Sequence, residues 1–244
     1  METELIKKLL EFGNGEECDN EILSIDSRKL SPLGYFISCI CDRQISMEDA
    51  WAIGKRIDGD GYTLKDLLKF TPTDWQEKII IKHRYINEIA DCLCKSVAKI
   101  QNEYESDVKN IFETADTCET LFKRLCQFEG IGQKIGTMCI NLAYKFQLFK
   151  FKFKDLKCLD ISADTHICFV FWKSFGLGDG TTTDNNKKLV IQKARELSFQ
   201  YINEGGWILD APCFTIGKNY CHKKCQECNK CYINDVCLNA SILK

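Results

Sequence analysis

The sequence predicts an all-α fold. Two observations predict it: there are only three prolines among 244 residues, and long amphipathic stretches with apolar residues at a 3.6-residue period recur along the chain. The chain is 45% apolar and 28% charged, enough for a sizeable core as one large domain or two smaller ones. No apolar run approaches the roughly eighteen residues of a membrane span. The N-terminal METELIKKLLEFG lacks the apolar block of a signal peptide. An intracellular protein with no membrane partner is expected.

Residues 2–12 read as a short amphipathic helix and 13–30 as a polar, acidic loop. Ser31 caps the next helix, with Pro32 at its first position. Leu33, Phe36, Ile37 and Ile40 form its buried face, and it ends near Cys41-Asp42-Arg43-Gln44. Ser46 to Asp49 resembles a capping box and opens a helix to about Ile57, which Gly59 and Gly61 break. Thr63 caps a short helix to Phe70, and Thr73 with Gln76 makes a second capping box. Residues 85–103 form the longest early helix, with Ile86, Ile89, Ala90, Leu93, Val97 and Ile100 at helical spacing. An acidic link at 103–107 follows.

Then comes a helix, a two-glycine hairpin and a second helix. Asp116 is the expected N-cap, and Leu121, Phe122, Leu125 and Phe128 share one face. The hairpin is Glu129-Gly130-Ile131-Gly132-Gln133. The second helix carries Ile135, Met138, Cys139, Leu142 and Phe146. Gly130 and Gly132 allow backbone angles a side chain forbids and let another backbone come close. Amides there and at the helix start are expected to point outward, unpaired, beside the positive end of the helix dipole, an arrangement that suits a phosphate. Lys134 sits in that first turn. The field there favours a neutral amine, which is a nucleophile; the plainer reading is a solvated surface lysine.

In Phe149–Lys154, phenylalanine and lysine alternate, which predicts a short strand or hairpin. Its lysines could meet phosphates, or simply face water above a packed apolar side. Asp164 opens the helix in ADTHICFVFWKSFG, with Ile167, Val170 and Phe171 inward and Gly176 at its end. An Asp at a helix start is commonly a plain N-cap. Residues 177–186 are a Gly/Thr/Asn loop. Asp184 or Asn185 caps a helix to Tyr201 whose buried face is Val190, Ala194, Leu197 and Tyr201. A last helix runs from about Gly206 to Lys218.

Sixteen cysteines is a high count. Cys39, Cys41, Cys92, Cys94, Cys126, Cys139 and Cys168 lie within helical patterns and read as small buried hydrophobes in a reducing compartment. Cys221, Cys228, Cys231 and Cys237 differ: their spacing is C-x6-C-x2-C-x5-C, four thiolates within seventeen residues. Such a set can close around a 4Fe–4S cluster or a tetrahedral zinc, and spacing alone does not separate the two. Cys213 and Cys225 fall outside the pattern and read as packing, with competition for a ligand position the alternative for Cys225. Lys218, Lys223, Lys224 and Lys230 surround the loop. Net charge is −2, a weak argument against nucleic acid, but the charge is uneven. Residues 1–30 hold eight acids against four bases, whereas 121–157 hold eight bases against Glu129 and Asp155. The basic stretch contains the hairpin, so a DNA-facing side is consistent with the acidic total.

GIGQK with its following helix, Asp164 in ADTHI, and the cysteine loop occur in this order. Together they resemble the endonuclease III superfamily of DNA glycosylases over roughly residues 30–240. The resemblance implies a two-lobed, all-α helix-hairpin-helix glycosylase fold with a C-terminal iron–sulfur loop. One lobe would be 31–146. The other would be 1–30 plus 147–244, with the cluster loop at 221–237. DNA would lie across the cleft between them, with Lys134 and Asp164 at its mouth.

The resemblance further implies Lys134 as nucleophile and Asp164 as the carboxylate that activates it and steadies the sugar cation. Gly130, Ile131, Gly132 and Gly136 would grip the strand, and Gln44 would fill the gap left by a flipped base. His83, Arg84 and Tyr85 lie where the family has its wedge loop. Cys221, Cys228, Cys231 and Cys237 match the family's 4Fe–4S ligands, with zinc the alternative. The implied activity is excision of a damaged or modified base from duplex DNA, with strand cleavage at the abasic site by β-elimination, by a monomer. A monofunctional glycosylase and a non-catalytic iron–sulfur DNA-binding module are the alternatives. Thirty residues separate Lys134 from Asp164, more than is usual in the family, and the Phe/Lys stretch is the surplus.

Overall fold

The computed structural model describes residues 2–22, 29–221 and 227–239. Cys225, Lys223 and Lys224 lie outside the described residues. In chain order the helices are α1 Glu2–Gly13, α2 Glu16–Ile22, α3 Pro32–Cys41, α4 Met47–Gly59, α5 Leu64–Leu67, α6 Pro72–Asp74, α7 Ile86–Glu103, α8 Lys109–Glu113, α9 Cys118–Leu125, α10 Gln133–Lys145, α11 Thr165–Phe175, α12 Asp184–Ile202 and α13 Asp210–Asn219. A π-helical turn, Trp75–Ile80, follows α6, and 3-10 turns occupy Gly206–Leu209 and Cys228–Lys230. There is no β-strand among the described residues. The fold is all-α, and none of the described helices is long and apolar enough to cross a membrane.

The chain divides into two compact units, one of Met1–Ser24 with Leu156–Lys244 and one of Ile25–Asp155. In the contiguous unit α3 is the central element. Ser31 caps it by accepting from the Gly34 amide, with Pro32 in its first turn. Tyr35, Phe36, Ile37, Cys39 and Ile40 are all buried. Helix α4 crosses α3 where Gly54 meets the Gly34 carbonyl and the Ser38 hydroxyl, with no space for a Cβ. Phe128 meets Phe36 edge-on, with centroids 4.9 Å apart.

The π-helical turn was not foreseen. Widening the helix by one residue frees a carbonyl, and the Arg56 guanidinium donates to the carbonyl of Ile79. The turn ends at Ile81, a β-branched residue at φ 43°, where such residues are rarely found.

In the discontinuous unit α1 buries Leu5, Ile6, Leu9 and Phe12 against Ile167, Val170 and Phe171 of α11, Val190, Ala194 and Leu197 of α12, and Cys213 and Ile216 of α13. Helices α11 and α13 approach closely: a Cβ on Gly217 would lie 2.6 Å from the His166 carbonyl oxygen.

Several local expectations need correction. The acidic stretch after Gly13 is not all loop, since α2 forms within it. The second capping box is Thr71 with Asp74, not Thr73 with Gln76, because Pro72 stands at the first helical position. Thr117 rather than Asp116 caps α9, and Thr183 rather than Asp184 or Asn185 caps α12. Residues 149–154 form no strand. Phe149 instead stacks on Phe112, centroids 3.9 Å apart and planes 2° from parallel. Cys126 is exposed, not buried.

Candidate functional site

The hairpin is seated on α3 and α7. Gly130 has φ 88°, which side chains avoid, and a Cβ there would lie 3.2 Å from Cys92 Sγ and 3.8 Å from Ile40 Cγ2. Ile131 is buried, and its amide donates to the Phe128 carbonyl at 3.1 Å. That amide is therefore engaged, contrary to the expectation of an outward, unpaired one. Lys95 pairs with Glu129 at 2.5 Å, an exposed contact of small weight. Gly136 is buried, and a Cβ would lie 3.2 Å from Phe122 Cε2. It closes α10 onto α9 and holds the hairpin from behind.

Gly132 is different. Its backbone is extended, φ −97° and ψ −173°, open to any residue. A Cβ would meet nothing within 4 Å. It is the N-cap of α10 and provides no capping side chain. Helices α3, α4, α11 and α12 have Ser, Thr or Asp in that role, whereas Tyr85 of α7 and Leu209 of α13 provide no side-chain cap either. Neither backbone strain nor packing among the described residues calls for glycine there. Lys134 follows in the first turn of α10, with its side chain exposed.

Gln44 lies on the α3–α4 loop at φ 57°. Tyr85 donates its hydroxyl to Gln44 Oε1 at 2.9 Å. The Arg43 and Arg84 guanidinium carbons lie 5.2 and 5.7 Å from the Tyr85 ring centroid, within cation–π range. His83 locks the two loops together. Its Nε2 donates to the Cys41 carbonyl at 2.9 Å and its Nδ1 accepts from the Tyr85 amide at 2.9 Å, so one tautomer serves both. Gln44 and residues 83–85, read from separate stretches, thus form one surface. Reading the sequence missed Ile81 beside them: it is 51% exposed. The signal available was an isoleucine run, Ile79-Ile80-Ile81, one residue too long for a buried face.

Asp164 is the N-cap of α11. Its Oδ1 accepts from the Ile167 amide at 2.9 Å, and Oδ2 has no hydrogen-bond partner among the described residues. The preceding turn is held by Asp210, which accepts from the Ser162 amide at 2.8 Å. The His166 ring packs edge-on against Phe214. Asp164 and Lys134 thus each stand at the start of a helix, in different units.

Cys237, the last of the four cysteines, packs on the far end of α11. Cys237 is buried, and its Sγ lies 3.6 Å from Ser174 Oγ and 3.9 Å from the Lys173 carbonyl. Cys221, Cys228 and Cys231 are half-buried against the same core. As thiols, burial pushes Cys221 up to about 12, with Cys237, Cys231 and Cys228 adding to the shift, and Cys231 to about 11. Among the described residues no group of three or more His, Cys, Asp or Glu is arranged to hold a metal ion. The donor chemistry fits a thiolate-bound centre, and ligation would have to displace the protons that burial favours.

No protein-family profile matches the chain, and no curated protein matches it in sequence. Solved structures do match in shape. A thermostable thymine-DNA glycosylase superposes with TM-score 0.67 over 99% of this chain and 97% of its own, at 16% identity. A trapped covalent intermediate of endonuclease III with DNA gives 0.67 over 100% and 98%, at 14% identity. The Methanocaldococcus jannaschii 8-oxoguanine glycosylase/lyase, bound to DNA containing 8-oxoguanine, gives 0.57 over 90% and 99%, at 18% identity. The fold is that of the helix-hairpin-helix DNA glycosylases.

Proposed function

We propose that the chain is a base-excision DNA glycosylase with abasic-site lyase activity, acting on a damaged or modified base in duplex DNA. The observation that carries this is the bare start of α10. Gly132 leaves open space at a helix N-terminus, and Lys134 is exposed in the first turn. A backbone phosphate fits such a place because the helix start carries partial positive charge and unpaired donors.

The target base must leave the stack to be reached. Ile81, exposed at the end of the π-helical turn, would wedge into the duplex as apolar side chains do. Gln44, held by Tyr85, would occupy the vacated position. Lys134 Nζ attacks the sugar C1′, forming the C–N bond as the glycosidic bond breaks and its electron pair leaves with the base. Asp164, with one oxygen committed to its helix, would use the other to accept the lysine proton and face the positive charge developing on the sugar. The nitrogen lone pair then expels O4′, which takes up a proton as the sugar ring opens, leaving a protonated Schiff base; this loses a C2′ proton, and the 3′ phosphate departs with the electron pair, cutting the strand. Cys221, Cys228, Cys231 and Cys237 would hold a 4Fe–4S cluster, with zinc the alternative. Bound, it contributes folding free energy to the loop that abuts α11. An iron–sulfur absorption band in the visible separates iron from colourless zinc.

Borohydride trapping on a panel of single-lesion duplexes tests the reading. A covalent protein–DNA adduct that disappears in Lys134→Ala is expected. Base release without trapping or cleavage would leave a monofunctional glycosylase. Binding with neither activity would overturn the enzyme reading.

A further inference from the structure

Gln44 and Ile81 come from stretches far apart in the sequence, and one imidazole ties those stretches together. His83 is half-buried, just beyond Ile81. Its Nε2 donates at 2.9 Å to the carbonyl of Cys41, the last residue of α3. Its Nδ1 accepts from the Tyr85 amide at 2.9 Å, and the Tyr85 hydroxyl in turn holds Gln44 Oε1. A backbone amide only donates, so Nδ1 must be bare. A backbone carbonyl only accepts, so Nε2 must carry the proton. Both contacts together therefore require a neutral ring in one tautomer.

We propose that His83 is a positioning residue for base extrusion: in its neutral form it holds the Ile81 loop against the end of α3 and so sets Gln44 for the vacated position. The proposal rests on the glycosylase reading and adds a pH dependence to its recognition step. Protonating the ring places an N–H at Nδ1 against the N–H of Tyr85, so an attractive contact becomes two opposed donors. It also adds a cation where two already gather, since the Arg43 and Arg84 guanidinium carbons lie 5.2 and 5.7 Å from the Tyr85 ring centroid and the His83 ring lies 6.5 Å from it. Tyr85 is then released from its seat, and Gln44 with it. Histidine side chains ordinarily change charge between pH 5 and 8, which sets the window. Other charged groups stand on the elements that meet here: Asp42 and Arg43 at the end of α3, Lys82 and Arg84 on the loop, and Glu88 and Asp91 in the first turns of α7. The arginines and the lysine keep their charge across the window. Burial pushes the Cys41 and Cys92 thiols up, so both stay neutral. The three carboxylates are the groups that could imitate His83, and a substitution at His83 itself separates them from it.

Competition binding tests this, with the full chain at about pH 8 and about pH 5.5. The probe is a duplex carrying a tetrahydrofuran abasic-site analogue, set against the same duplex undamaged. The parent's preference for the abasic duplex is expected to fall about 3- to 10-fold on acidification, the weight of one hydrogen bond. In His83→Asn, Oδ1 takes the place of Nδ1 as acceptor and does not titrate; most of the preference should remain, and its pH dependence should vanish. In His83→Gln, the amide can still reach the Cys41 carbonyl but nothing at the δ position accepts from Tyr85; the preference should be low at both pH values. A role in packing alone would not divide the two variants in this way. Nitrogen-15 spectra of the free protein at pH 8 should show His83 with Nδ1 bare, and a proton there overturns the proposal without reference to DNA. A parent whose preference ignores pH, or a His83→Asn variant that keeps the parent's pH dependence, also overturns it and leaves the glycosylase reading intact. A parent that neither prefers the abasic duplex nor excises a base overturns both.

Discussion

Gly132→Asp separates what α10 needs from what DNA needs. The site has room for a side chain, and its extended backbone suits an N-cap. An aspartate there could accept from an amide in the first turn, as Asp164 does from Ile167 in α11. Relative to glycine such a cap gains only a few tenths of a kcal/mol, and a negative charge beside the helix start adds about 0.3–1 kcal/mol. Folding should therefore be strengthened by about 0.5–1 kcal/mol, a rise in melting temperature of a few degrees for a chain of this size. Binding should move the other way. A carboxylate about 5 Å from a phosphate, at an effective dielectric of about 20, is opposed by about 3 kcal/mol, or on the order of 100-fold in affinity. Thermal melting and fluorescence anisotropy with a duplex read the two effects on one sample. A variant that melts higher but binds DNA as tightly as the parent would refute the placement of a phosphate at this helix start.

Two further variants probe the supports of the site. Gly217→Ala puts a methyl 2.6 Å from the His166 carbonyl oxygen, so α11 and α13 must part; a loss of about 1–3 kcal/mol is expected by chemical denaturation, with a fall in excision because Asp164 heads α11, and unchanged stability would contradict the close crossing. Tyr85→Phe removes the hydroxyl that holds Gln44; on this exposed surface stability should stay within about 0.5 kcal/mol, while preference for lesion over undamaged duplex should fall several-fold by competition binding, and an unaltered preference would remove Gln44 orientation from the account.

Much of the fold was legible because amphipathic period and cap chemistry are local. Ser31-Pro32, Asp164 and Gly176 mark helix ends that the structure reproduces. Where several capping residues crowd together, sequence could not choose. At Asp116-Thr117 and Thr183-Asp184-Asn185 the winner is the residue whose backbone turns extended just ahead of the helix, and composition does not report that. The π-helical turn at Trp75–Ile80 was hidden because its apolar residues also fit a helical face. The glycines at the crossings, Gly54 and Gly217, were not singled out, because their reason lies on other helices: Gly34 and Ser38 for one, His166 for the other. The hairpin was legible as a motif, but the separate tasks of Gly130, Gly132 and Gly136 depend on neighbours distant in sequence, Ile40 and Cys92 for the first and Phe122 for the last. The Phe/Lys alternation was read correctly as a division of faces and wrongly as a strand, since ring stacking on Phe112 can enforce that division without a ladder.

Capping the helix does not compete with the catalytic role proposed for Asp164. A carboxylate has two oxygens, and the cap uses one. Holding Oδ1 on the Ile167 amide fixes the plane of the group and therefore the direction of Oδ2, which an unrestrained aspartate would leave to rotation. An acid that must face a transient cation gains from that restraint, since orientation settled during folding is not charged again at the transition state. A second consequence follows for the helix behind it. The direction of Oδ2 is only as firm as α11, and α11 is clamped at its start by Gly217 on α13 and at its end by Cys237 on Ser174 and Lys173. The cysteine loop can thus bear on Asp164 without touching it, through the seating of one eleven-residue helix.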